Sequence, residues 1–369
     1  MDELRRIKIT GVGFVATLIL ATLSLLVITV VMGRRRRWLR PMGGVFSALL
    51  LVGSAVATVN AYYGYMPNVA ALLGWRAADQ SSWADAKAAV MRSDVGPPHR
   101  TLYHGKVVRF SIPGPRSGFR ARSAEVYLPP AWFTLPRPPL PVLVLLHGSP
   151  GTPEDWARAA SVDLVTDRFA VQHGGVAPIV VMPDINGSFN GDTECVDGTL
   201  GNVETYLTVD VRRWVRLHLD PAFSPGAWAL GGASEGGTCA AMLALRHPER
   251  FPTFLDFSGD DHLSRAGGAL SLFPGEEAER RAALRAHRPG YLIRRLAHPQ
   301  EMAAWFEAGS GDAPARRAAE RLASLGRSRG MATSVRTSAG GRHTWRVWKH
   351  CYQDALPWLM IRFGPALRH

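Results

Sequence analysis

The chain opens with two long stretches in which no charged residue interrupts the apolar ones. The first, residues 9–32 (ITGVGFVATLILATLSLLVITVVM), reaches about 36 Å as a helix at 1.5 Å per residue, more than the ~30 Å hydrocarbon core of a bilayer. The second, residues 41–63 (PMGGVFSALLLVGSAVATVNAYY), is richer in Gly and Ala and ends on tyrosines suited to a membrane interface. Both predict spanning helices. A cleaved signal fits the first run poorly, because it exceeds the roughly 7–15-residue apolar region of signal peptides and lacks an A-x-A exit.

Residues 64–100 are mixed, with a short apolar stretch, a polar alanine-rich one and Gly96-Pro97-Pro98 at the end, the composition of a connector. From residue 101 to residue 369 the pattern changes. Short β-type runs at 106–112, 124–128, 142–146, 179–182, 228–231, 253–257, 303–306 and 333–337 come to alternate with helical stretches at 205–219, 236–247, 276–286 and 314–325. Such alternation predicts an α/β fold with a mostly parallel eight-stranded sheet flanked by helices. Pro141-Val142-Leu143-Val144-Leu145-Leu146 is uniformly apolar, as a strand buried on both faces must be. The organisation expected is therefore a two-span anchor (1–63), a connector (64–100) and a catalytic domain (101–369).

Charge refines this picture. Five arginines lie within residues 34–40, between the two runs, and by the positive-inside rule that short loop stays cytoplasmic, so everything after Tyr63 lies outside. Residues 1–75 hold eight Lys/Arg and two Asp/Glu, which leaves +7 of the net +13 on the remainder. The arginine loop is accounted for by topology rather than by nucleic acid, and the rest of the charge favours an anionic lipid surface or envelope polymer. Cys195, Cys239 and Cys351 permit at most one internal bridge in an oxidising compartment. Cys195 to Cys239 is favoured over either pairing with Cys351, since a loop after a strand and the helix after residue 234 can share one end of the sheet. No C-x-x-C and no His/Cys cluster has metal-ligand spacing.

The chemistry concentrates in Trp228-Ala229-Leu230-Gly231-Gly232-Ala233-Ser234-Glu235-Gly236-Gly237-Thr238, where a strand runs through G-x-S-x-G into a helix. The glycines permit a tight turn that lifts the Ser234 hydroxyl into the open. A serine needs a base, and in the hydrolase order Ser, Asp/Glu, His that base comes late. His343 follows the last strand on a Gly340-Gly341-Arg342 loop, whereas His262, His287 and His298 precede that strand and His350 lies inside the next helix. The orienting acid is expected after the seventh strand, where Asp312 sits. Glu307 is nearer the strand, and Asp260 and Asp261 after the sixth strand are the rivals, with capping as their alternative role. For the oxyanion, the backbone N–H of Glu235 and that of Ser149, in His147-Gly148-Ser149-Pro150-Gly151, are the candidate donors. His147 itself reads as a structural hydrogen-bonder.

From about residue 101 onward these motifs resemble the esterase branch of the α/β-hydrolases, the group holding esterase D and the antigen 85 mycolyltransferases of mycobacteria. The resemblance rests on His147-Gly148 with Asp155-Trp156, Gly232-Ala233-Ser234-Glu235-Gly236 with His247-Pro248, Gly309-Ser310-Gly311-Asp312, and His343-Thr344-Trp345 with Trp348. Arginine, alanine and tryptophan usage resembles that of high-GC actinobacteria. The resemblance implies hydrolysis or transfer of carboxylic esters through an acyl-serine, with neither metal nor organic cofactor. Two departures stand out: Ser149-Pro150-Gly151 replaces the sugar-binding set of the mycolyltransferases, and Glu235 replaces the methionine common after the nucleophile.

The expected activity is thus hydrolysis of acyl or aminoacyl esters, plausibly of envelope lipids, with the membrane as partner and no nucleic acid. The alternatives are an acyltransferase using the same residues on a sugar or lipid hydroxyl, and a non-catalytic membrane sensor or scaffold.

Overall fold

A computed structural model describes residues 8–35, 39–66, 68–72, 80–81, 83–84 and 104–367. Most of the predicted connector, and the centre of the arginine loop, lie outside these residues. The chain divides into two compact units, residues 1–77 with 344–346, and residues 78–343 with 347–369.

In the first unit, helices α1 (Val12–Arg35) and α2 (Leu39–Tyr63) pair. Each contains a segment long and apolar enough to cross a membrane, Val12–Val31 and Pro41–Tyr63. Their contact uses small and hydroxylated residues. Thr22 and Ser54 share a 3.0 Å hydrogen bond, and a Cβ at Gly43 would collide with Thr29, whereas the large apolar side chains such as Leu20, Leu49 and Val52 stay exposed. That division is the one expected of helices facing lipid, where close packing and polar pairs, not apolar burial, hold helices together.

The second unit is built on one sheet. Its strands are β1 (Gln80–Ser81), β2 (Lys106–Phe110), β3 (Ala124–Leu128), β4 (Val142–Leu146), β5 (Ile179–Met182), β8 (Trp228–Ala233), β9 (Thr253–Phe257), β10 (Ala303–Gly309) and β11 (Ala332–Ser338), while β6 (Asp197–Gly198) and β7 (Gly201–Asn202) form a separate hairpin. The spatial order is β1-β2-β3-β5-β4-β8-β9-β10-β11. Within this sheet, among the described residues, only the β2–β3 and β3–β5 pairs run antiparallel. All eight predicted strands are present. The ninth, β1, lies in the predicted connector and is too short and polar for periodicity to reveal. Strand β10 continues three residues past its predicted end because β11 pairs with it through Gly309↔Ser338.

Every residue of β4 and β8 is buried. Helix α3 (Glu235–Arg246) packs on β8, β9 and β4 and buries all but its last residue. Deleting a core leucine such as Leu243, fully buried there, would cost about 2–5 kcal/mol. Helices α4 (Glu277–Ala286), α5 (Pro289–Arg295) and α6 (Ala313–Ser328) complete that flank, and α7 (Trp345–Phe363) ends the chain. The Sγ atoms of Cys195 and Cys239 are bonded, tying the loop after β5 to α3 across 44 residues, and Cys351 is free and buried.

Candidate active site

Parallel strands leave their carboxyl ends together, and loops from four of them meet around Ser234. Ser234 sits between β8 and α3 with φ 58° and ψ −124°, a conformation costly for an L-residue. Three contacts hold it there: its N–H donates to Phe257 O at 2.9 Å, and its carbonyl accepts Gly237 N–H at 2.9 Å and Thr238 N–H at 3.1 Å. The flanking glycines are required by contact. A Cβ at Gly232 would lie 2.1 Å from Gly236 O, and one at Gly236 would lie 2.4 Å from both Leu146 O and His147 O.

His343 Nε2 is 2.8 Å from Ser234 Oγ, and its Nδ1 is 2.6 Å from Asp312 Oδ2. A carboxylate can only accept, so Nδ1 carries the proton and Nε2 is left to accept from the serine hydroxyl. Asp312 occupies the N-cap position of α6 without a side-chain cap bond, and the Gly309–Gly311 turn lies against the Gly341 backbone: Gly311 N–H donates to Gly341 O at 2.7 Å. Burial acts to raise the Asp312 carboxyl, but the hydrogen bond and charge of His343 outweigh it and hold the group below its ordinary value. The His343 ring meets Trp348 edge to face at 5.0 Å, which fixes its plane.

The rival acids point elsewhere. Asp261 pairs with His262 at 2.9 Å and Arg321 at 2.8 Å. Asp260 accepts the Ser264 hydroxyl at 3.1 Å, while its N–H donates to Thr238 Oγ1. Glu307 accepts from Trp305 Nε1 and Ser338 Oγ. Of the remaining histidines, His287 faces Glu204 at 3.5 Å.

On the other side of Ser234, the loop after β4 passes so close that a Cβ at Gly148 would meet Ala233 O at 3.1 Å and Ser234 Cβ at 3.2 Å. This segment, with Ser149, is held by the loop after β5. Ser149 Oγ donates to Gly191 O at 2.7 Å, and Gly151 N–H donates to Phe189 O at 2.9 Å. His147 is fully buried, with Nδ1 2.8 Å from Gly148 O and Nε2 3.3 Å from Asp184 Oδ1. Burial opposes ionisation of Asp184, yet hydrogen bonds from His147 and Arg122 hold its carboxyl well below the carboxylate range.

The same loop grips Glu235. Asn186 Nδ2 donates to Glu235 Oε2 at 2.7 Å, and Glu194 N–H donates to Oε1 at 3.1 Å. Burial, reinforced by the negative charge of Asp192, pushes the Glu235 carboxyl up to about 8. Burial and the neighbouring Glu235 push Glu194 up to about 9. Sequence reasoning missed Asp184, Asn186 and Glu194. Their signal was the polar run Pro183-Asp184-Ile185-Asn186-Gly187 at the carboxyl end of β5, a place where loops carry function. Among the described residues no group of His, Cys, Asp and Glu is arranged to hold a metal ion.

Comparison with known proteins agrees with this architecture. Over 71% of the chain and 99% of its partner, the fold matches a ferulic acid esterase with TM-score 0.60 at 21% identity. An S-formylglutathione hydrolase from Agrobacterium tumefaciens matches with TM-score 0.57 at 21% identity, covering 72% of this chain and 98% of that one. MPT51 of Mycobacterium tuberculosis matches with TM-score 0.51 at 18% identity, covering 69% and 97%. These likenesses establish the fold. In sequence, an uncharacterized protein of Corynebacterium glutamicum is 33% identical over 337 residues, 88% of this chain and 77% of its own length. The family model described as "Putative esterase" matches residues 119–359, well over half the chain. The chain therefore belongs to this esterase family of the α/β-hydrolases, and its activity is that of a carboxylic ester hydrolase.

Proposed function

We propose that Ser234 is the nucleophile of a serine esterase, His343 its general base and Asp312 the acid that orients His343. The observation that carries this reading is the unbroken hydrogen-bond chain from Ser234 Oγ through His343 to Asp312, at 2.8 and 2.6 Å. His343 Nε2 takes the hydroxyl proton as Oγ attacks the ester carbonyl, and Asp312 stabilises the imidazolium that results. The oxyanion is received by the backbone N–H groups of Glu235 and Ser149. Collapse of the intermediate expels the alcohol, which takes its proton from His343. A water molecule, deprotonated by the same nitrogen, then releases the acid and restores Ser234. An alcohol in place of water would make the reaction a transfer, and no residue of the site would change role.

Reaction with a fluorophosphonate probe tests the assignment. Wild-type protein should label and Ser234→Ala should not. Labelling that persists in the variant removes Ser234 from the mechanism.

The two apolar helices support a membrane-anchored enzyme, and the arginines of residues 34–40 support an extracytoplasmic catalytic unit. The bonded Cys195 and Cys239 suit an oxidising compartment. An ester of a cell-envelope lipid is the substrate class that such an anchor serves. In intact cells, a membrane-impermeant thiol reagent should reach a cysteine engineered at Gly96 but not one at Gly33. The reverse pattern puts the site in the cytoplasm.

A further inference from the structure

A second feature of the catalytic unit has no part in the chemistry above. Between the end of α4, helix α5 and helix α6 lies an open groove of about 980 Å³, lined by five arginines, Arg285, Arg288, Arg294, Arg317 and Arg321. Arg321 is paired with Asp261 at 2.8 Å, and Glu320, the other acid of the lining, is 3.5 Å from Arg316. Arg294 donates to Gly290 O at 2.9 Å, and Arg285 lies 6.0 Å from the centroid of the Tyr291 ring. Among the described residues no carboxylate is within 4.0 Å of Arg285, Arg288, Arg294 or Arg317, so the groove holds a positive excess supplied by three separate helices.

Like charges brought together from separate elements repel, and an anionic guest relieves that repulsion. A guanidinium presents paired donors in a plane, matched to the oxygens of phosphate, and is more weakly hydrated than an ammonium. The size of the groove fits a ligand with several charged groups rather than a single ion. Gly290 faces Leu322 and Leu325, whose Cδ2 atoms a Cβ would meet at 3.8 Å, and Ser324 and Ser328 also line the groove. Asp261, which also lines the groove, lies four residues beyond Phe257, the residue whose carbonyl holds the Ser234 N–H.

We propose that this groove is a binding site for a multiply charged phosphate-bearing ligand, seated by Arg288 and Arg317. The proposal does not depend on the catalytic assignment, since binding is read without turnover.

The test uses the full chain in nanodiscs of zwitterionic lipid, titrated with inorganic tripolyphosphate. Binding should saturate and weaken with added salt. The R288Q/R317Q double variant should lose at least about tenfold in affinity, as expected when two charge-assisted contacts go, while R288K/R317K should fall between. Turnover of a neutral p-nitrophenyl ester should be the same in all three, which shows that the fold is intact. A second arm places an anionic phospholipid in the nanodisc. If the natural occupant is a lipid headgroup, that lipid will weaken tripolyphosphate binding to the wild type but not to the double variant. If it is a soluble phosphate, the lipid will change nothing. Equal tripolyphosphate affinity in wild type and R288Q/R317Q, or no saturable binding in either arm, overturns the proposal.

Discussion

Two acidic neighbourhoods flank Ser234 and are built in opposite ways. On one side Asp312 lies against the His343 ring, whose side chain is 42% exposed, and the contact holds the carboxyl below its ordinary value. On the other side Glu235 and Glu194 are buried with only Asn186 and backbone amides as donors, and burial pushes them up to about 8 and about 9. The carboxyl group, displaced in two directions, is put to two kinds of work. In the proposed mechanism Asp312 keeps its charge beside a ring that becomes positive. Glu235 gives its charge up and acts as a strut between the nucleophile turn and the loop after β5, the loop that also braces Ser149. Environment decides which of these carboxyls stays charged.

The largest effect expected from this contrast is on rate. Asp312→Asn keeps the shape but removes the charge that stabilises the imidazolium, so esterase turnover at pH 7 should fall by roughly 10³–10⁴-fold with little change in thermal midpoint. Glu235→Gln replaces a group that is already mostly protonated at that pH, and should cost only the geometry of one hydrogen bond, about 0.5–1.5 kcal/mol, or a few-fold in rate. Equal losses in the two variants would erase the distinction between them. A harmless Asp312→Asn together with a damaging Asp261→Asn would move the acid to the loop after β9.

The contrast also separates what was legible in the chain from what was not. Strands β4 and β8 read clearly because burial on both faces demands unbroken apolar runs. The turn at Ser234 read clearly because only glycine fits where Gly232 meets Gly236 O and where Gly236 meets Leu146 O. Asp312 and His343 could be placed because the loops that carry them follow neighbouring strands, β10 and β11, whose pairing continues to Gly309↔Ser338. The loop of residues 184–194 was opaque. Asp184 reaches His147 across 37 positions and Asn186 reaches Glu235 across 49, and neither contact leaves a local pattern. The protonation of Glu235 was opaque for the same reason, since a glutamate at the start of a helix reads as a favourable charge near the positive end of the dipole. Only tertiary burial reverses that reading. Strand β1 was hidden because two polar residues have no periodicity.

The remaining effect is on stability, and it concerns the raised pair. In the unfolded chain Glu194 and Glu235 release their protons near 4.5; in the folded protein they keep them to about 9 and about 8. Between those limits the folded state binds more protons than the unfolded one, so folding stability declines as pH rises through this window. The contribution is fully present below about pH 4.5 and is lost once pH has passed the folded values. Asp163 and Asp256, pushed by burial to about 6 and about 7, act in the same direction. Asp312 acts oppositely, since its lowered carboxyl stabilises the fold above the ordinary carboxylate range and loses that contribution as pH falls. The informative quantity is therefore the difference between wild type and Glu194→Gln, which stays neutral at every pH. Each group contributes at most about 1.4 kcal/mol per pH unit within the window. The thermal midpoint of the wild type should fall from pH 5.5 to pH 8.5, and Glu194→Gln should fall less steeply over the same range. Parallel slopes would mean that Glu194 is ionised in the folded protein at neutral pH, and the strut Glu235 would then have an anion rather than a buried acid as its neighbour.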